Sequence, residues 1–268
     1  MTQIREPAVA GLFYQAGTGE LDKSVRAMLH GVQSSQDPAP KALIVPHAGY
    51  VYSGPVAAIA YARLRRFRDH YSRVVLLGPS HRVSTPGLAI SAADAFRTPL
   101  GDVPLDREVI ARLEDHPAII RSEEPHRFEH SIEVQLPFLQ TVLGSFSLVP
   151  LLVGDAGAGT VAEVIETLWG GKETLIVVSS DLSHFHDYEA AQSLDFATCS
   201  SIEHLDVQGI GARDACGSKA IKGLLLVARR RGLRITTLDL RNSGDTAGER
   251  DQVVGYGSWV LQENGPCR

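Results

Sequence analysis

The sequence predicts an α/β fold, a single domain spanning residues 1–268 with a central, mostly parallel sheet flanked by helices. Three observations predict it. Short aliphatic runs at 42–45 (ALIV), 74–77 (VVLL) and 175–178 (LIVV) lack the polar alternation of half-exposed strands, so each reads as a strand buried on both faces. Segments with helical spacing separate these runs, the alternation that gives parallel pairing. No repeat of fixed period and no Pro-, Gly- or Ser-rich linker divides the chain.

The elements follow in order. After the strand at 42–45, Ser53, Gly54 and Pro55 announce a helix over VAAIAYARLRRF, because a serine near the cap and a proline in the first turn suit a helix start. The strand at 74–77 runs into GPSHR. Residues 88–91 form a further strand, and FRTPLGDVPLD reads as a strand with a Gly-Asp turn, an insertion at the sheet edge. Asp106 then caps a helix over REVIARLED. Ile132, Leu136, Leu139 and Leu143 recur at helical spacing, a stripe that holds as a helix if Pro137 lies in or near its first turn. A strand at SLVPLLVG, a helix from Thr160 to Trp169, the strand at 175–178, helices after Asp187 and a Leu-rich helix from about Gly217 to Arg231 follow. Gly232 closes the last of these. RITTLDL and QVVGYGSWVL complete the sheet.

Composition narrows the function classes. With 26 Lys+Arg against 31 Asp+Glu, a net charge of −5, the chain carries no basic face for nucleic acid, and RLRRFR and ARRRG read as solvated helix faces. At 44% apolar and 21% charged residues the composition is that of an ordinary globular protein. No apolar run approaches the ~18 residues of a membrane span, and MTQIREPAVAGLFYQ lacks the core of a secretory signal, so a cytoplasmic address is expected. Cys199, Cys216 and Cys267 are too sparse for a disulfide framework and form no CxxC pair, so reduced thiols are expected.

The chemistry gathers at strand ends. In open α/β sheets ligands bind where the loops after the strands converge, and His47, His81 and the pair Asp181 and His184 each follow a strand by a few residues. A lone histidine there is most simply a surface imidazole. Three strand ends sharing the pattern point instead to a metal site, since imidazole is the commonest protein metal ligand and two His with one anionic ligand leave positions open. Two candidates offer the third ligand. Asp181 gives a two-His-one-carboxylate set suited to Fe(II); Cys216, directly before a helix start, is placed where the helix dipole favours a thiolate, which selects iron, copper or zinc over magnesium. GxSxG, GxxxxGK[ST] and HExxH are absent, which disfavours serine hydrolases, P-loop NTPases and zincins. The glycines of VGDAGAG read as a loop before a helix. His130 sits at a helix start as a donor behind the ligands, whereas His30, His70, His116, His126, His186 and His204 are expected at the surface. Tyr50 and Tyr52 flank the first His loop, to orient a ligand or to pack.

At these same residues the sequence resembles the Memo family, whose bacterial and archaeal members include AmmeMemoRadiSam system protein B. The resemblance rests on REPAVAGLFY (5–14), VPHAGYVYSGPVAA (45–58), LGPSHR (77–82), EHSIEVQLPFLQ (129–140), SSDLSHF (179–185), ACGSKAI (215–221), and SGDT followed by VVGYGS, in order along nearly the whole chain. It implies a fold similar to LigB-type class III extradiol dioxygenases, with a metal held by His47, His81 and Cys216, and with His184 and Asp181 beside it as acid/base and orienting groups. The dioxygenases carry a carboxylate where Cys216 stands, so the resemblance does not carry ring cleavage across. It implies Fe(II) or Cu, with Zn as a further option, and a redox protein that takes a small-molecule or peptide ligand. The alternatives are a binding module without turnover and a zinc-dependent hydrolase. The family name further implies shared pathway membership with a radical-SAM protein and an AMMECR-type protein.

Overall fold

A computed structural model describes residues 2–33 and 36–263 of the chain. Its strands and helices run β1 (Ile4–Arg5), α1 (Thr18–His30), β2 (Ala42–Val45), α2 (Tyr50–Ala62), β3 (Arg73–Pro79), β4 (Leu88–Ile90), β5 (Ala95–Thr98), β6 (Gly101–Pro104), α3 (Arg107–Leu113) and β7 (Ile119–Arg121). They continue α4 (Glu124–Arg127), α5 (Leu136–Val142), β8 (Ser147–Val153), α6 (Ala158–Thr167), β9 (Thr174–Ser179), β10 (His184–His186), α7 (Tyr188–Glu203), α8 (Ser218–Arg231), β11 (Arg234–Asn242) and β12 (Val253–Gln262).

A nine-stranded sheet in the order β10-β12-β2-β9-β3-β8-β4-β7, with β11 also paired to β12, dominates the molecule. Its centre, β2-β9-β3-β8, is parallel, as the aliphatic runs predict; β12 and β4 flank that centre antiparallel, so the sheet is mixed. The four central strands are almost entirely buried because helices cover both faces. Right-handed crossovers explain how. The chain passes from β2 through α2 to β3 in one direction across the sheet and from β8 through α6 to β9 in the other, which puts α2 and α6 on opposite faces. α1 and α5 pack with α2, and α8 packs on α6.

That reversal also brings β9 between β2 and β3. The loops after β2, β9 and β3, which carry His47, Asp181 and His81, therefore leave three adjacent strands about 5 Å apart.

Most elements fall where the periodicity places them, and three differ for local reasons. α2 starts at Tyr50 with Gly49 as its N-cap, so Ser53 and Pro55 lie inside the helix. Pro55 is tolerated because the carbonyl it leaves without a helix donor belongs to Val51, in the exposed first turn. The turn between β5 and β6 is Pro99-Leu100, with Thr98 paired to Gly101. Proline's fixed φ suits the turn, and Gly101 at φ 119° opens the next strand. β5 and β6 form a second sheet with β1 rather than an insertion on the large one. Asp106 accepts from the Val109 amide as the expected cap of α3, and Pro137 sits in the first turn of α5; of the predicted stripe Leu136 and Leu139 lie in α5, Ile132 precedes a 3-10 turn at Glu133–Gln135 and Leu143 caps α5, and all four are buried. Among the described residues no helix is long and apolar enough to cross a membrane, and Cys199 and Cys216 are free thiols; Cys267 lies outside the described residues.

Candidate metal centre

β2 ends at Val45, and Pro46 leads into His47, which is almost wholly buried. Its Nδ1 lies 2.9 Å from Ser179 Oγ, at the end of β9. That hydroxyl already donates to Ser131 O (2.6 Å) and accepts from Gln135 Nε2 (2.8 Å), so its proton is committed and His47 Nδ1 must be the donor. Nε2 is thereby left with its lone pair free. Burial, followed by the neighbouring His81, holds this imidazole down to about 3, so it is neutral, the form that binds metals.

His81 follows β3 and is exposed, its side chain 29% accessible. The buried carboxylate of Glu129 accepts from its backbone amide (2.6 Å) and lies 2.9 Å from its Nδ1. Glu129 Oε1 also accepts from the amides of His130 (2.9 Å) and Ser131 (3.0 Å). Burial alone raises such a carboxyl, but the His81 donors and charge and these amides outweigh it and pull it down to about 2. The fixed carboxylate orients Nδ1–H toward itself and turns His81 Nε2 to the opening, the arrangement that raises a ligand's basicity.

Cys216 approaches from the residue before the N-cap of α8. Its Sγ stands 3.3 Å from His47 Nε2 and accepts from the Asp181 amide at 3.3 Å. Burial, then the Asp181 carboxylate, pushes the thiol up to about 12, which overturns the expectation that the helix start alone makes a thiolate; desolvation exceeds the dipole here. The donor atoms of His47, His81 and Cys216 all lie within 4.8 Å of one another. Two ligands bound at ~2.0 and ~2.3 Å with a tetrahedral angle between them stand roughly 3.5 Å apart, so the 3.3 Å sulfur–nitrogen spacing fits one shared ion. A cation there also supplies the positive charge that the buried sulfur lacks.

Residues 5–260 match the profile of the family described as Memo-like protein. The chain belongs to the Memo family. A MEMO1 family protein of Methanococcoides burtonii is 39% identical over 272 residues, covering 97% of this chain and 100% of its own. Those of Thermoplasma volcanium and Aquifex aeolicus are 37% and 34% identical, covering 96% and 95% of this chain and 98% and 97% of theirs. A crystal structure of an uncharacterized Escherichia coli K12 protein shares the fold at TM-score 0.55 and 16% identity, over 81% of this chain and 98% of that one.

In this Memo family chain the remaining candidates surround the three donors. Asp181 is buried, and its carboxylate accepts from the His47 amide at 2.7 Å, so it fixes the first His loop; no hydrogen bond joins it to His184. Burial raises this carboxyl. His184 opens β10 opposite Val254 and interacts electrostatically with both His47 and Asp181.

His130, expected behind the ligands, stacks on His81 (4.8 Å between ring centres, 16°) and meets His47 edge-on at 5.4 Å. Its Nδ1 is buried 3.3 Å from Glu129 Oε1 without hydrogen-bond geometry. His81, Glu129 and His130 also offer converging donor atoms. Glu129 Oε1 is already surrounded by N–H groups, so this second grouping is a hydrogen-bond network around a carboxylate.

Tyr50 packs inside, its hydroxyl donating to Val134 O, while Tyr52 is partly exposed. His126 is buried rather than at the surface: α4 turns it against β4, where Nε2 lies 3.2 Å from Ala89 O. Sequence reasoning missed Glu129, Ser179 and Gln135. Each lies in a quoted motif, but the signal available, a carboxylate, a hydroxyl and an amide among apolar neighbours, names no partner.

Proposed function

We propose that the chain is a metal-dependent redox protein whose ion, Fe(II) or Cu, is held by His47 Nε2, His81 Nε2 and Cys216 Sγ. The observation that carries this is the convergence of those three donors within 4.8 Å from three separate parts of the chain, each imidazole with its other nitrogen tied to a fixed acceptor. Two imidazoles and a sulfur suit iron, copper or zinc and not magnesium or calcium. Bound there, iron or copper supplies one-electron redox chemistry and open positions for O2 or a substrate. The protein's own groups do the rest: Glu129 and Ser179 orient the imidazoles, Asp181 fixes the His47 loop, and His184 exchanges protons with the ligand.

The test is metal analysis of protein prepared without oxygen. Stoichiometric iron or copper, lost in His47→Ala and His81→Ala with circular dichroism unchanged, is the expected result. Unchanged metal content in both variants sinks the ligand assignment, and zinc alone with hydrolysis of model esters replaces the redox function with a hydrolytic one.

A further inference from the structure

The run RLRRFR at 63–68 reads as a solvated helix face in the sequence, but in the fold its arginines diverge. α2 has ended at Ala62, and Arg65–Phe67 makes a 3-10 turn. Arg63 pairs with Asp37 (3.1 Å), and Arg66 lies over the Phe67 ring (5.8 Å). Arg65 and Arg68 instead meet the last turn of α1. Arg65 donates to Leu29 O, and both arginines line a cleft of about 390 Å³ with Arg26 and His30, where the buried Leu29 and Val142 supply an apolar base. A cleft of this size takes a small molecule.

Its charge is one-sided. Three guanidiniums and an imidazole line it and, among the described residues, no carboxylate does, in a chain whose net charge is −5. The Arg68 and His30 side chains make no hydrogen bond or ion pair among the described residues. Two acidic side chains lie close without lining the cleft. Asp22, one turn before Arg26, accepts its Nε–H (2.8 Å) and leaves the terminal nitrogens available, and Asp69 sits beside Gly144. Like charges gathered along a concave wall repel one another and raise the local potential, which a bound anion relieves. Guanidinium forks match phosphate oxygens in pairs. A carboxylate would bring one charge against three arginines, whereas a phosphate monoester brings about −1.5 to −2.

We infer that this cleft binds a phosphorylated small molecule, its phosphate held by the guanidiniums of Arg26, Arg65 and Arg68 and its body resting on Leu29 and Val142. The site lies at the end of the sheet away from the metal donors. Arg68 precedes β3 and His81 follows it, so the seven residues of that strand separate the two, a length of roughly 20 Å. Binding in the cleft therefore neither needs an ion at the metal donors nor displaces one.

The full chain, labelled with 15N and freed of metal with a chelator, tests this by titration with sodium phosphate and, separately, sodium acetate at constant ionic strength. Saturable shifts of the amides at 26–30 and 65–68 are expected with phosphate, at lower concentration than with acetate. Arg68→Met breaks no side-chain contact of the fold and weakens phosphate binding about tenfold, the loss of a hydrogen bond to a charged group. Arg65→Met weakens it as well, and if removing its bond to Leu29 O unfolds the chain, Arg68→Met alone decides. Asp22→Asn, which frees Arg26, tightens binding, and Arg229→Met, on α8 outside the cleft, leaves it unchanged. Saturable shifts confined to other parts of the chain, equal affinity for acetate, or a phosphate affinity indifferent to Arg68→Met overturns the proposal.

Discussion

Glu129 and Ser179 hold the two imidazoles by different means, and substitution separates them. Glu129→Gln keeps an acceptor but brings an NH2 group among the His81, His130 and Ser131 donors, so one of those hydrogen bonds becomes a donor–donor contact. Metal affinity, read by chelator competition, should fall roughly 10–100-fold, the usual effect of removing a ligand's supporting acceptor. Ser179→Ala removes the acceptor of His47 Nδ1–H and frees the tautomer. It should weaken the metal within the same range while leaving His81 in place, and a variant that binds metal like the parent would show that the Ser179 bond does not orient the ligand.

Among the elements, the segment from β1 to α1 acts as a strap under the site. Arg5 is buried and pairs with Glu133 (2.7 Å), donating also to His126 O (2.8 Å) and to Glu129 O (2.6 Å), the residue that carries the His81 acceptor. Glu133 in turn accepts from the amides of Ala8 and Val9 and from the Tyr14 hydroxyl. Breaking a buried pair from one side costs about 3–5 kcal/mol. Arg5→Met should fall in that range by urea unfolding and Glu133→Leu should lose more, because it strands three further donors; equal losses would argue that the ion pair alone matters.

At the other side of the site α8 sits tightly on the end of β9. A Cβ on Gly217 would meet Ser179 O at 2.8 Å and Ser180 Cβ at 2.7 Å. Gly217→Ala should therefore shift the helix start, lowering stability by roughly 1–3 kcal/mol and, since Cys216 precedes it, metal content as well. Unchanged metal content at lowered stability would mean that Cys216 moves independently of the helix.

For the whole molecule the buried histidines set an acid limit. Burial, with neighbouring positive charge, holds His47 at about 3 and His130 at about 4, and burial holds His126 at about 4, against an ordinary 6.5. Between 6.5 and these values the unfolded chain binds protons that the folded one does not, so metal-free protein loses stability as the pH falls through that window. Glu129 adds to the loss lower down: its depressed pKa contributes stability that is complete above 4.5 and vanishes toward about 2. Urea midpoints of chelator-treated protein at a series of pH values check this, and a midpoint independent of pH between 7 and 4, on the order of the ordinary histidine range, would contradict it.

The strands and helices were legible because their signal is local. The apolar runs at 42–45, 74–77 and 175–178, the stripe around Leu136 and the Gly232 stop each depend on neighbours a few residues away, and composition along the chain sufficed to place them and the strand-end histidines. Contacts between distant segments had no such signal. The residues alone leave both Asp181 and Cys216 open as third ligand; in the fold the Asp181 carboxylate accepts from the His47 amide, while Cys216, 169 residues from His47, brings its sulfur beside Nε2. Glu129 meets His81 across 48 residues, and burial rather than the helix start governs the Cys216 thiol. Hydrophobic periodicity is a property of consecutive residues, but hydrogen-bond partnership and desolvation depend on which segments the crossover reversal at β9 brings together, and only the tertiary structure decides that.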